Sequence, residues 1–102
     1  MRIYNKLVRD NIPDIIKSTG ETAHIRMLND DEYIPELEKK LQEEVNEYLE
    51  SRDITELADV LEVIEALAKV HGRSLDDILK IKKAKCVKNG AFNDKIFLIE
   101  VE

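Results

Sequence analysis

A mainly α-helical domain organised around an antiparallel helical hairpin is the fold class the sequence predicts, and three observations predict it. Two long stretches, about 32–50 and 54–71, carry apolar residues at three- and four-residue steps. Only Ser51-Arg52-Asp53 separates them, and so short a link makes the two helices antiparallel neighbours. The 102 residues are 43% apolar and 37% charged with three Gly and two Pro, which suits one domain over 1–102 and excludes disorder. Ordinary packing at this size predicts a radius of gyration near ~13 Å and a modest core.

The elements follow in order. Asp10 or Asn11 can cap a short helix with Pro13 in its first turn and Ile12, Ile15 and Ile16 on its buried side, ended by Gly20. Ala23 to Leu28 reads as a short strand, and Asn29-Asp30-Asp31 as a polar break. The first long helix places Leu37, Leu41, Val45, Tyr48 and Leu49 on one face. In the second, apolar residues from Leu57 to Val70 cover well over half the circumference, so the helix is expected to be buried on two sides. In so small a chain the second side points to another subunit, hence a homodimer or higher homo-oligomer. Ser74 can cap a fourth helix from Leu75 to about Lys88, broken by Asn89-Gly90. Lys95 to Val101 is rich in strand formers and is predicted to pair with the segment near Ile25, adding a small β element from 23–28 and 95–101.

Composition and motifs exclude several functions. A net charge of -6 argues against binding polymeric nucleic acid. No stretch approaches the ~18 apolar residues of a membrane span. The opening MRIYNKLVRD lacks the apolar core of a secretory signal, and the single cysteine, Cys86, fits a reducing compartment, so a cytoplasmic location is expected. Neither a G-x-x-x-x-G-K-[ST] loop nor a G-x-G-x-x-G turn is present. His24 and His71 have no metal-ligand spacing, and Cys86 sits in no nucleophile motif; structural roles suit all three.

The charge is uneven. Residues 36–65 hold eleven acids and three bases, while the remainder holds eleven acids and thirteen bases. Inside the acidic segment, Glu44 and Glu47 form E-x-x-E, and Glu56 and Asp59 form E-x-x-D. Residues i and i+3 share a helix face, so each pair can aim two carboxylates at one point, and facing helices can pool four. Four close carboxylates repel one another unless cations neutralise them, and hard oxygen ligands suit Mg²⁺ or Mn²⁺. Helical projection places Glu44 at the margin of the apolar face and Glu56 inside the apolar arc, where an unpartnered charge is costly. The competing reading is a solvated acidic face, with Asp53 to Glu56 as a capping box and Glu43 paired to Lys39 or Lys40.

These acids, continued by Asp59-Val60-Leu61, resemble the paired acidic motif of the all-α NTP pyrophosphatase superfamily. That group includes the MazG-type enzymes, dimeric dUTPases and phosphoribosyl-ATP pyrophosphohydrolase. Lys6-Leu7-Val8-Arg9-Asp10-Asn11-Ile12-Pro13 is similar to the K-L-V-R-D-x-I-P opening of a small MazG-like branch, often labelled phosphoribosyl-ATP pyrophosphohydrolase-like. Lys85 to Phe92, followed by Ile96-Phe97-Leu98, resembles that branch's K-x-x-x-R-G-G-F ending. Two departures stand out: a link between Glu47 and Glu56 shorter than in larger MazG enzymes, and Asn89 where the branch commonly carries a basic residue.

The resemblance implies cleavage of a nucleoside triphosphate between its α and β phosphates, giving a monophosphate and pyrophosphate. Glu44, Glu47, Glu56 and Asp59 would then be the Mg²⁺ ligands, with Mn²⁺ as an alternative ion. Catalysis falls to Glu44 and Glu47, with Glu47 preferred to accept the proton of the attacking water. Lys6, Arg9 and Lys85 are the candidates to bind the substrate's phosphates, since an acidic site needs cations to hold a polyanion. Noncanonical triphosphates are the leading substrates and phosphoribosyl-ATP the alternative. A non-catalytic helical module contacting a basic protein is the reading from a different class.

Overall fold

A helical hairpin forms the centre of the molecule because two strongly capped amphipathic helices follow each other almost without a link. The computed structural model describes all residues, 1–102. It contains α1 (Ile12–Ser18), α2 (Asp30–Ser51), α3 (Ile54–Val70) and α4 (Leu75–Asn89). The mainly helical fold class is therefore as expected.

Local chemistry sets each boundary. Helix α2 starts two residues before the periodicity does, because the Asn29 side chain accepts the Glu32 backbone N–H at 3.0 Å and three acids fill the first turn. Pro35 lies within its second turn. Arg52 turns the chain in the left-handed region, with φ 58°, and Asp53 then caps α3 by accepting from the Thr55 backbone N–H at 2.9 Å. Helix α4 opens on a capping box in which Ser74 and Asp77 bond each other's backbone N–H groups.

The packing is sparser than an ordinary domain of this size. Helix α2 packs along α3, and α4 packs on α3 alone. Only Leu37, Val63 and Ala68 form a fully buried apolar core, while Leu41, Val45 and Tyr48 are half-buried. The expected compact radius is overturned. The radius of gyration is 18.0 Å, with extents of 61 × 32 × 24 Å. The chain exposes 9429 Å², whereas a folded monomer of 11.8 kDa ordinarily exposes about 5,900 Å².

The small β element does not form within the chain. Residues 21–28 and 96–102 form neither helix nor strand and make no backbone–backbone hydrogen bonds. Strand propensity is local, whereas a strand needs an edge to pair with, and this fold brings no edge to either segment.

Candidate metal centre

The hairpin's register assembles the acids. Antiparallel pairing that sets Asp30 and Ile34 beside Ala66 and Val70 at one end brings Glu44 level with Glu56 and Asp59 near the other. Glu44, Glu56 and Asp59 each offer a carboxylate oxygen within 4.8 Å of the others. Glu43, Glu44 and Glu47 do the same along α2. Glu44 belongs to both groups, so four other carboxylates surround its side chain.

That side chain is the least ordinary in the molecule. Glu44 is only 7% exposed, the one buried charged residue, and its Oε2 is buried with no hydrogen-bond partner. Its other oxygen meets Lys40 Nζ at 3.3 Å. A buried, unpaired carboxylate oxygen costs several kcal/mol unless a cation or donor reaches it. All the surrounding ligand atoms are hard oxygens, the donor set that Mg²⁺ and Mn²⁺ take. The residues therefore fit a divalent ion.

The competing capping-box role of Glu56 is not what the geometry shows. Asp53 caps α3 through Thr55, at 2.9 Å to its N–H and 2.8 Å to its hydroxyl. Glu56 is left half-buried beside Asp59 and Glu44.

The N-terminal segment reaches across both helices. Lys6 Nζ donates to Glu43 at 3.0 Å, and the Arg9 guanidinium to Asp59 at 2.7 Å. Sequence reasoning placed these cations at the substrate's phosphates; in the structure each contacts an acid of the cluster. Arg9 pairs with neither of the nearby acids Asp10 and Asp14. Lys85, on the exposed second half of α4, makes no hydrogen bond or ion pair and is not brought to the acids by α4–α2 packing.

Glu43 and Lys40, read from the sequence as an ion pair, also belong to the group. Glu43 joins the acids as well as pairing with Lys40 at 3.3 Å. Lys40 bridges Glu43 and Glu44, and its i, i+3 and i, i+4 spacing to them was the available signal.

Electrostatics follow this layout. Burial, then the adjacent Glu47, push the Glu44 carboxyl above its ordinary range despite Lys40. Partial burial, then the Asp59 charge, raise Glu56 likewise. At Glu43 burial opposes ionisation, but the bonds from Lys6 and Lys40 outweigh it and hold the group below its ordinary range. Lys6 is raised in turn, chiefly by its bond to Glu43.

A pH dependence follows for the metal-free protein. Glu44 and Glu56 keep protons in the folded state at pH values where the unfolded chain, with pKa about 4.3, has released them. Their contribution to stability therefore increases as pH falls from 7 towards about 4.3. Glu43, Glu32, Asp53 and Asp77 are held low, so their stabilisation is complete above the ordinary pKa and is lost as pH falls through the folded values. Urea denaturation in chelator should give a stability maximum on the acid side of neutrality. A steady decline from pH 7 to 5 would contradict these shifts.

Comparison with known proteins adds one partial match. No family model matches the chain. A 42-residue stretch is 55% identical to an uncharacterised protein of Mycolicibacterium smegmatis, covering 41% of this chain and 43% of that protein. The chain thus matches less than half the length of that relative. No solved structure matches.

Proposed function

We propose that the protein is a divalent-metal-dependent nucleotide pyrophosphohydrolase that cleaves the α–β phosphate bond of a nucleoside triphosphate. The observation that carries this reading is the buried Glu44 carboxylate, with one oxygen unpartnered at the junction of two three-acid groups. The all-oxygen donor set and the resemblance of the paired acidic motif and the K-L-V-R-D-x-I-P opening support the same reading.

Glu44, Glu47, Glu56 and Asp59 hold Mg²⁺, or Mn²⁺, and Glu43 adds a fifth carboxylate at the rim. When bound there, the ion supplies a coordinated water of lowered pKa and shields the triphosphate's charge. Glu47, half-buried at the edge of the group, accepts the proton of the attacking water. Lys6 and Arg9 bind the substrate's phosphates. They already lie against the acids, more than two-fifths exposed, and can exchange a carboxylate partner for a phosphate oxygen.

A homo-oligomer belongs to this reading as well. Leu57 and Leu61 on α3 stay over two-fifths exposed, and one chain carries about 3,500 Å² of surface beyond that of an ordinary monomer. No helix is long and apolar enough to cross a membrane.

The test is pyrophosphate release measured across canonical, oxidised and deaminated nucleoside triphosphates and phosphoribosyl-ATP, with Mg²⁺ or with chelator. Mg²⁺-dependent pyrophosphate release from at least one triphosphate is expected. Release from phosphoribosyl-ATP alone would transfer the assignment to that substrate. Release from none, by protein that binds Mg²⁺, would overturn the enzymatic reading.

A further inference from the structure

We infer that residues 96–101 form an arm that pairs as a β-strand with residues 23–28 of a second copy of this chain. The inference is independent of the catalytic reading.

The arm is unlike any other part of the surface. Ile96, Phe97, Leu98, Ile99 and Val101 are each 72–88% exposed, and no backbone group beyond residue 95 is hydrogen-bonded within the chain. An unpaired segment so rich in β-branched and aromatic residues has the composition of a strand without its sheet. A continuous apolar run such as 96–99 belongs to strands covered on both faces. An unpaired edge of this kind is a template for pairing with another chain.

The same chain carries the complement. Residues 21–28 are likewise outside any helix or strand and free of backbone–backbone hydrogen bonds, with Ile25 and Met27 well exposed. Alternation puts Ala23, Ile25 and Met27 on one face of that segment, and Phe97, Ile99 and Val101 on one face of the arm. Pairing the two strands lays these apolar faces side by side and leaves His24 and Arg26 on the face that carries Ile96, Leu98 and Glu100. Within one chain the segments leave each other unpaired, so their complement is another copy. Two copies exchanging arms about a two-fold axis close the pairing with no segment left over.

The surface area requires a partner of this scale. An obligate dimer buries about 1,000–2,500 Å² from each subunit. The surplus of about 3,500 Å² per chain covers that need.

Sedimentation equilibrium and amide hydrogen exchange test the inference on the full chain and on a Phe97→Asp/Ile99→Asp variant. The full chain should sediment at twice 11.8 kDa, with amides of 23–28 and 96–101 slowed roughly tenfold or more. The variant should sediment at half that mass, keep its helical circular dichroism, and lose protection in both segments together. A monomeric full chain, a variant that stays dimeric, or protection of 96–101 that does not depend on protein concentration would each overturn it. Should the double variant lose its helices, the single Val101→Asp variant gives the same readouts.

Discussion

Replacing Asp59 by Asn, or Glu44 by Gln, is expected to lower Mg²⁺-dependent kcat/KM by roughly two to three decades, the effect of removing about 3–4 kcal/mol of transition-state stabilisation. The two changes act differently on the fold. Asp59 is half-exposed and bonded to Arg9, an ion pair worth little at the surface, so Asp59→Asn should fold as well as the parent. Glu44 is buried with one oxygen on Lys40 and the other without a partner. The amide keeps its shape and removes a repelling charge, so Glu44→Gln should also remain folded while losing turnover. Glu62 and Glu38, on exposed parts of the same helices, serve as controls, and Glu62→Gln should leave turnover unchanged. Equal turnover in Asp59→Asn and the parent would remove the acids from the reaction.

The second large effect concerns stability. Without cations the hairpin holds five carboxylates, Glu44 and the four around it, against their repulsion, offset by Lys6, Arg9 and Lys40. An ion that binds the folded chain alone should stabilise it by about 2.7 kcal/mol at a hundred times its Kd. For a domain near 100 residues that is roughly 10–20 °C in Tm. Arg9→Ala separates this effect from simple charge screening. Removing the guanidinium that occupies Asp59 should lower Tm in chelator yet enlarge the increment Mg²⁺ provides. A non-coordinating salt of equal ionic strength that raises Tm as much as Mg²⁺ would contradict a specific site.

The hairpin was legible because its determinants are local. Leu37, Leu41 and Val45 repeat at helical spacing, and the link at Arg52 is too short for anything but an antiparallel return, while Asn29, read as part of a polar break, is the cap of α2. Glu44 and Glu56 were legible as acids in apolar surroundings for the same reason, since helical projection finds a residue's face without knowing its neighbours. What lay beyond the sequence depends on contacts between distant segments. Arg9 meets Asp59 across fifty positions and Lys6 meets Glu43 across thirty-seven, and no periodicity encodes either pairing. The β element shows the converse. Ile96 to Ile99 have the composition of a strand, but a strand's partner is supplied by topology, and one chain supplies none. The elongated shape has the same origin, because α4 touches only α3 and the segment beyond it has nothing in its own chain to fold against.

The claim on which the rest depends is that the acids around Glu44 take up a divalent ion. Mn²⁺ titration followed by electron paramagnetic resonance counts that ion directly, because bound Mn²⁺ leaves the sharp signal of the free aqueous ion. The parent protein should remove at least one Mn²⁺ per chain from the free signal, Mg²⁺ should compete it off, and the combined Glu44→Gln/Asp59→Asn variant should leave the signal that of free Mn²⁺. A parent chain that leaves the free signal undiminished, or a variant that binds as well as the parent, would contradict the account.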